Sequence, residues 1–464
     1  MKHLFSKAFF KEMLPLAIPI ALQNLLMASF RLVDMLMLGS LSGDALAAVD
    51  LASQMSFFVD LISFGVSSGC AVFLAQYHGA NNIDGIRRVM GCAFVSLLPI
   101  GVLATLVSVC FPSAIMRVLT NDQTLREIGV SYLSVAAFSY LSIVLNSILS
   151  TVLRSTERVR LPLIASGTAA ALNALLNYAL IFGHFGLPAL GARGAGVATA
   201  ISAAVGPAIL LVVSLIRRNV LIAPLKDVFR LKGFFLPFWK RSLPAFLNET
   251  LWSASIVIVN TIFGHMGAAN YAGLSTVRTV ENLVFVFFIG VCHSCNILVG
   301  KHIGAEDESG ARRISDAFLI LTPLLGLVLG AIVLVLRGPV VDLFRIEETS
   351  KAVARALLLL YAFEIGFRNI PYICVVGIFR AGGDTRIGFI ADLGVQYLLV
   401  IPIAAILGLV LKLPFVTTFV VMQLCDDVAK NLIYLIYYRK GNWIRPVKNI
   451  GLPCEPAEAE PAQK

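Results

Sequence analysis

"SFRLVDMLMLGSLSG", Ser29 to Gly43, sets an arginine and an aspartate three residues apart inside an apolar run that reaches back from Leu38 to about Met13. As a helix, that run is long enough to cross the ~30 Å hydrocarbon core of a bilayer. The rest of the chain repeats the pattern. Its 464 residues are 58% hydrophobic and only 14% charged, against about a quarter charged in a soluble protein. The apolar blocks do not alternate, which excludes a transmembrane β-barrel. The expected fold is an all-α polytopic membrane protein with twelve spans, at roughly 14–38, 51–77, 89–111, 127–152, 162–183, 194–216, 242–264, 277–300, 314–336, 352–378, 387–410 and 414–438.

The net charge of +10 follows those spans. With the N-terminus placed in the cytoplasm, 25 of the 37 Lys and Arg fall in inner segments, seven in outer loops and five within spans. This positive-inside bias predicts that both termini are cytoplasmic and accounts for the basic excess, so no nucleic-acid partner is expected. The opening "MKHLFSKAFFKEM" runs into a span with no small-residue cleavage site and reads as a retained first helix. Seven of the eight cysteines lie within spans, where isolated cysteines pack as small apolar groups. Cys292 and Cys295 form a single spaced pair with no second pair to complete a metal site.

"LAIPIALQNLL" and "KRSLPAFLNETL" expose an internal repeat. At an offset of 225, Pro19 aligns with Pro244, Gly39 with Gly264, Gly65 with Gly290, Cys70 with Cys295, Gly79 with Gly304 and Arg87-Arg88 with Arg312-Arg313. A shift to 226 then aligns "LRSTERVRLP" with "FRAGGDTRIG". The chain therefore divides into a six-helix half at 1–216, a cytoplasmic linker at 217–241, a second six-helix half at 242–445 and a disordered cytoplasmic tail at 446–464. Six spans per half make the repeats parallel, and a seam between two such bundles suits alternating access with the substrate held between them.

Polar residues form stripes on the spans, since each helical residue advances by about 100°. Gln23, Asn24, Arg31 and Asp34 share one face of the first. Glu249, Ser253 and Asn260 share a face of the seventh, and Arg278, Glu281, Asn282, His293 and Asn296 one of the eighth. A charge at mid-membrane costs at least ~2.5–3.5 kcal/mol on insertion scales, so these stripes face the bundle interior or water. Arg31 with Asp34 and Arg278 with Glu281 are spaced i,i+3. Glu364 with Arg368 and Asp426 with Lys430 are spaced i,i+4, as interior ion pairs would be. Glu249 has no basic residue within a helical turn, and an unpaired buried carboxylate takes up a proton or a cation. Asp34 is either the same kind of site or is satisfied by Arg31. "FRAGGDTRIG" reads as a turn, with Arg380 closing one helix and Asp384 or Thr385 capping the next.

Several segments together resemble the multidrug and toxic compound extrusion (MATE) transporters. "LPLAIPIALQNLLMASFRLVDMLMLGSLSGDALAAV" is similar to their first helix and loop, "FVDLISFGVSSGCAVFLAQYHGANN" to the second helix, and "LLNYALIFGHFGLPALGARGAGVATAIS" to the fifth-to-sixth region. "LPAFLNETLWS", "FVFFIGVCHSCNILVGKHIGA", "FRAGGDTR" and "YYRKGNW" continue the resemblance to about residue 445. It implies a MATE-like fold and a secondary antiporter of the plasma membrane that exports amphipathic, often cationic compounds in exchange for Na⁺ or H⁺, with no cofactor. It implies cation coupling at Asp34, and at Glu249 as in many branches. Any Na⁺ would sit at one of these two, with Asn24, Asn260, Arg278, Glu281, Asn282 and Glu364 around the cavity. Arg31 departs from the family pattern, and either tunes Asp34 or locks it.

The expected partners are small organic cations or metabolites and membrane lipids, and the expected state is a monomer. The alternative is a flippase for lipid-linked oligosaccharides or peptidoglycan precursors, kept open by Arg31, Arg278 and Arg368 and opposed by the acidic stripes. A major-facilitator carrier lacks support because the Asp-Arg-x-Gly-Arg-Arg loop is missing. An enzyme lacks support because no nucleophile with a base, and no metal set, is present.

Overall fold

Ser42 decides where the first hairpin turns. Its N–H donates to the Leu38 carbonyl at 3.3 Å and closes α1 (Lys7–Leu41), while its hydroxyl accepts from the Ala45 N–H at 2.9 Å and opens α2 (Gly43–Gly79). The computed structural model describes residues 5–344 and 346–447, which hold no strand, only one isolated bridge between Gly383 and Ile444. After α3 (Ile83–Cys110) come a short α4 (Pro112–Leu119), then α5 (Gln123–Ala136) and α6 (Ser139–Ser155). The last two are bent by 50° at their junction and together make one span. The first half ends with α7 (Arg160–Phe182) and α8 (Ala192–Arg217). A connection containing the one-turn α9 (Leu225–Val228) leads to α10 (Phe235–His265), α11 (Ala268–Gly304), α12 (Glu308–Asp342), α13 (Glu348–Gly382), α14 (Arg386–Val410) and α15 (Phe415–Lys440).

Ten of these helices are long and apolar enough to cross a bilayer, and the bent pair makes an eleventh. The twelfth, α15, has the length at 26 residues but spends apolar positions on Gln423, Asp426, Asp427 and Lys430, all buried or half-buried. The expected linker at 217–241 differs at its end, because residues 235–241 already form the first turns of α10. Residues 448–464, most of the expected disordered tail, lie outside the described residues.

The repeat is legible in backbone detail. α2 and α11 are both 37 residues long. Each is followed by a residue at positive φ, Asn81 at 54° and Glu306 at 64°. Then comes a side-chain N-cap, Asn82 accepting from the Gly85 N–H and Asp307 from the Gly310 N–H, both at 2.8 Å. The Gly310 N–H, together with His302 and Ser309, holds the Asp307 carboxyl down at about 2. The helix starts are exchanged between halves. Phe9 of α1 packs in the core of the second half, 5.2 Å from Phe318, while Phe234 and Phe238 at the start of α10 pack in the core of the first, around Phe73 and Tyr77.

The halves close on each other at the end that carries the termini. A Cβ on Gly79 would stand 2.0 Å from the Lys301 carbonyl oxygen, and one on Gly304 would stand 1.9 Å from that of Gln76. The two contacts exchange under the 225 offset, so the pseudo-twofold axis runs between them. Polar ties reinforce this end. Lys301 pairs with Glu157 at 2.6 Å, and Gln76 donates to the Ala381 carbonyl at 2.7 Å while accepting from the Val447 N–H at 2.8 Å. At the opposite end, a Cβ on Gly43 or Gly264 would meet nothing within 4 Å. The seam is therefore shut at the terminus-bearing end.

Gly79→Ala or Gly304→Ala forces backbone apart where no flexible side chain can yield, a cost of ~1–3 kcal/mol or more. We expect either to lower the apparent melting temperature of the purified protein by several degrees, and Gly264→Ala to leave it unchanged. For Asp307→Ala we expect the ~1 kcal/mol loss of a missing cap. Because the folded carboxyl is depressed, that contribution is present above the ordinary carboxylate range and fades as pH falls towards 2, which melting curves of wild type and variant across pH would register.

Candidate functional site

The first half holds one carboxylate in a cradle of amides, and the second half holds two neighbouring acidic groups. In the first, Asp34 points from α1 towards α7, where the Asn177 amide donates to its Oδ1 at 2.7 Å. Asn173, one turn earlier on α7, completes the cradle. With its amide nitrogen turned to the carboxylate it donates to Oδ1 at 2.9 Å and to Oδ2 at 3.1 Å, while its oxygen accepts from Ser202 of α8 at 3.1 Å. Asn173, Asn177 and Ser202 are buried and Asp34 is half-buried. Neutral donors can hold a carboxylate in place, but they leave its charge uncompensated.

The expected contact with Arg31 is not made. Among the described residues no ion pair joins Arg31 to Asp34. Arg31 is exposed, and its charge acts instead on Asp60 of α2. Three residues turn a helix by about 300°, so the two side chains leave α1 some 60° apart, one towards α2 and the other towards α7. Arg31 does not lock Asp34.

The second cluster reverses the expectation for Glu249. Its Oε1 lies 2.6 Å from the guanidinium of Arg380. Arg380 is only 3% exposed and is reached from α13 across the half. It also donates to Asn248 at 2.9 Å and to the Ser68 hydroxyl on α2 of the other half. The reading of an unpaired Glu249 fails because ion pairs between helices are invisible to spacing within one helix. From Asn248 the chain of contacts continues to Asp392 at 3.0 Å, from Asp392 to Lys430 at 3.0 Å, and from Lys430 to Asp426 at 2.8 Å.

Beside this lies a third group. Arg368 pairs with Glu281 at 2.8 Å and with Glu364 at 3.1 Å, and stacks over Tyr361. The expected pair of Arg278 with Glu281 is replaced by this cross-helix contact; Arg278 remains in electrostatic reach of Glu281 without bonding to it. Asp427 accepts from Gln423 at 3.1 Å. Its Oδ2 and the Oε2 of Glu364 are buried without a hydrogen-bond partner among the described residues. Six carboxylates (249, 281, 364, 392, 426 and 427) thus meet three bonded cations (368, 380 and 430).

The remaining expected cavity residues are dispersed. Asn24 donates to the Ile20 carbonyl of its own helix at 2.8 Å, Asn260 has a buried carbonyl oxygen without a partner among the described residues, and Asn282 is exposed. Asn173, Asn177, Asp392 and Asp427 escaped the sequence reading. The two asparagines sit four apart on α7 and had a helical signal, but no charge to attract attention. Arg380 was read as a turn residue. Its helix does end at Gly383, with φ 88°, yet Thr385 does not cap the next helix: its hydroxyl donates to the Arg241 carbonyl at 2.7 Å. Asp384 is engaged by Tyr437 and Arg445.

The sequence model of the MatE family matches residues 19–179 and 244–406, one match per repeat. The chain therefore belongs to the MATE family of membrane transporters. It is 25% identical over 446 residues to the probable multidrug resistance protein NorM of Thermotoga maritima, covering 93% of each chain. It is also 25% identical over 430 residues to the probable multidrug resistance protein YoeA of Bacillus subtilis, covering 90% of this chain and 91% of the other. Among solved structures it superposes on a MOP-superfamily transporter of Pyrococcus furiosus with TM-score 0.82 at 18% identity, covering 95% of this chain and 99% of that one. The eukaryotic MATE transporter AtDTX14 gives 0.79 at 17%, covering 96% and 97%.

Removing one partner of a buried pair leaves the other charge uncompensated, at ~3–5 kcal/mol. We expect Glu249→Gln to lower thermal stability sharply, and Glu249→Gln combined with Arg380→Met to recover most of the loss, as melting of the three purified proteins would reveal.

Proposed function

We propose that the chain is a secondary antiporter that carries amphipathic organic cations, drugs or metabolites, out of the cytoplasm in exchange for inward Na⁺ or H⁺. It would lie in the plasma membrane with both termini cytoplasmic, the orientation favoured by the distribution of Lys and Arg. The reading rests on one observation above the rest: Asp34 is held by asparagines and no cation bonds to it among the described residues. Such a carboxylate is free to be neutralised by an arriving ion, whereas Glu249 is already answered by Arg380.

On this reading the seam, shut at the terminus-bearing end, is the outward-open state. An organic cation about 4 Å from an ionised carboxylate gains ~4 kcal/mol at an effective dielectric of 20, roughly a thousandfold in affinity. Neutralising Asp34 by H⁺ or Na⁺ removes that attraction and releases the cargo outwards. The linkage is reciprocal, so the cargo expels the ion in turn. The two relatives named above, both called probable multidrug resistance proteins, support a reading of export. Of the three arginines that keep the flippase alternative open, Arg368 is committed to Glu281 and Glu364.

The test uses protein reconstituted in liposomes with a fluorescent cationic dye, under a Na⁺ gradient with the proton gradient collapsed, and then the reverse. We expect one gradient to drive the dye and Asp34→Asn to abolish that movement. Movement that persists undiminished in Asp34→Asn, or dye that neither gradient moves, would refute the proposal.

A further inference from the structure

At the terminus-bearing end a cavity of about 550 Å³ opens between α1, the turn from α6 to α7, the end of α8 and the end of α11. Four cations line it, Lys11, Arg158, Arg160 and Arg217, all exposed and, among the described residues, without an ion-pair partner. A fifth, Lys301, is taken by Glu157, which also lines the cavity, and Glu12 is the other acidic group there. Apart from Asn219 the remaining wall is apolar, with Pro15, Leu16, Val159, Leu161 and Leu298.

The same place in the second half is filled. Residues 441–447 lie across it, with Trp443 and Val447 fully buried, the Arg445 N–H donating to the Gly382 carbonyl at 2.7 Å, and Arg445 pairing with Asp384 at 3.3 Å. Glu157 corresponds to Gly383 at the 226 offset, and Lys301 corresponds to Gln76, which binds the Val447 N–H. The repeat thus closes this cleft with its own chain on one side and leaves it open, basic and partly apolar on the other.

We infer that the open cleft is a binding site for a phosphate-bearing anion, with a phosphatidylglycerol-type headgroup at the inner membrane surface as its natural occupant. The cations attract the single negative charge of a phosphodiester, and the forked N–H donors of Arg158, Arg160 and Arg217 suit its oxygens and the neighbouring glycerol hydroxyls. The apolar wall receives the start of the acyl chains, which a free phosphate lacks. The site is separate from Asp34 and its occupancy does not depend on transport.

The purified full-length chain in detergent is titrated with short-chain phosphatidylglycerol, with phosphatidylcholine of equal chain length, and with inorganic phosphate, read by native mass spectrometry. Two variants of exposed residues are compared, Arg158→Gln with Arg160→Gln, and Lys11→Gln with Arg217→Gln; Lys412→Gln at the opposite end is the control. We expect one phosphatidylglycerol per chain, preferred over phosphatidylcholine, with at least tenfold weaker binding in both variants and unchanged binding in the control. Binding of inorganic phosphate with the same sensitivity, in place of the lipid, would assign the site to a soluble anion. Phosphatidylglycerol and phosphate affinities within twofold of wild type in both variants, or equal retention of phosphatidylcholine, would overturn the site.

Discussion

A charge carried into a bilayer has to be answered by another charge, by hydrogen-bond donors or by an ion, and the three answers are distributed unequally here. In the second half the carboxylates are answered mainly by cations: Glu249 by Arg380, Glu281 and Glu364 by Arg368, Asp392 and Asp426 by Lys430. In the first half Asp34 receives only amides. A fixed counter-charge makes a carboxylate part of the scaffold, and an amide cradle leaves it able to exchange its counter-ion. The proposed division of labour between halves rests on that difference.

The repeat supplies a symmetric frame on which this asymmetry is written. Glu249 corresponds to Asn24, Asp34 to Val259 and Arg380 to Arg154. Arg380 reaches Ser68, whose counterpart is His293, and Arg154 is within electrostatic reach of that histidine. Both arginines therefore look across the seam from equivalent places, but only Arg380 has a carboxylate waiting on its own side. Because Arg380 ties α10 and α13 to α2, the Glu249 pair contributes to how the halves are held together. The backbone contacts of Gly79 and Gly304 then fix the closed end, together with the polar ties of Lys301 and Gln76.

Much of this was legible in the sequence. The fold followed from run lengths, the charge distribution and an offset of 225 held across about seventy residues, and the structure repeats that offset in helix lengths, caps and positive φ angles. The site was legible as a list of expensive residues and only partly as a set of partners: Glu364 with Arg368 and Asp426 with Lys430 pair as their spacing suggested. Spacing along one helix suggested Arg31 with Asp34 and Arg278 with Glu281, and both fail because the partners chosen lie on other helices. Glu249 and Arg380 are 131 residues apart, and Asp34 and Asn177 are 143 apart. No periodicity links such positions; only the packing of α1 on α7 and of α10 near α13 does.

The central claim is that Asp34, and not the paired Glu249, exchanges its counter-ion as cargo binds. It is tested most directly by the equilibrium affinity of the purified protein for a cationic dye, measured across pH and across Na⁺ concentration. Wild type is compared with Asp34→Asn and with the charge-balanced combination of Glu249→Gln and Arg380→Met. We expect the ion dependence to vanish in Asp34→Asn and to survive in the charge-balanced variant. Survival in Asp34→Asn with loss in the charge-balanced variant would contradict it and return the coupling to Glu249.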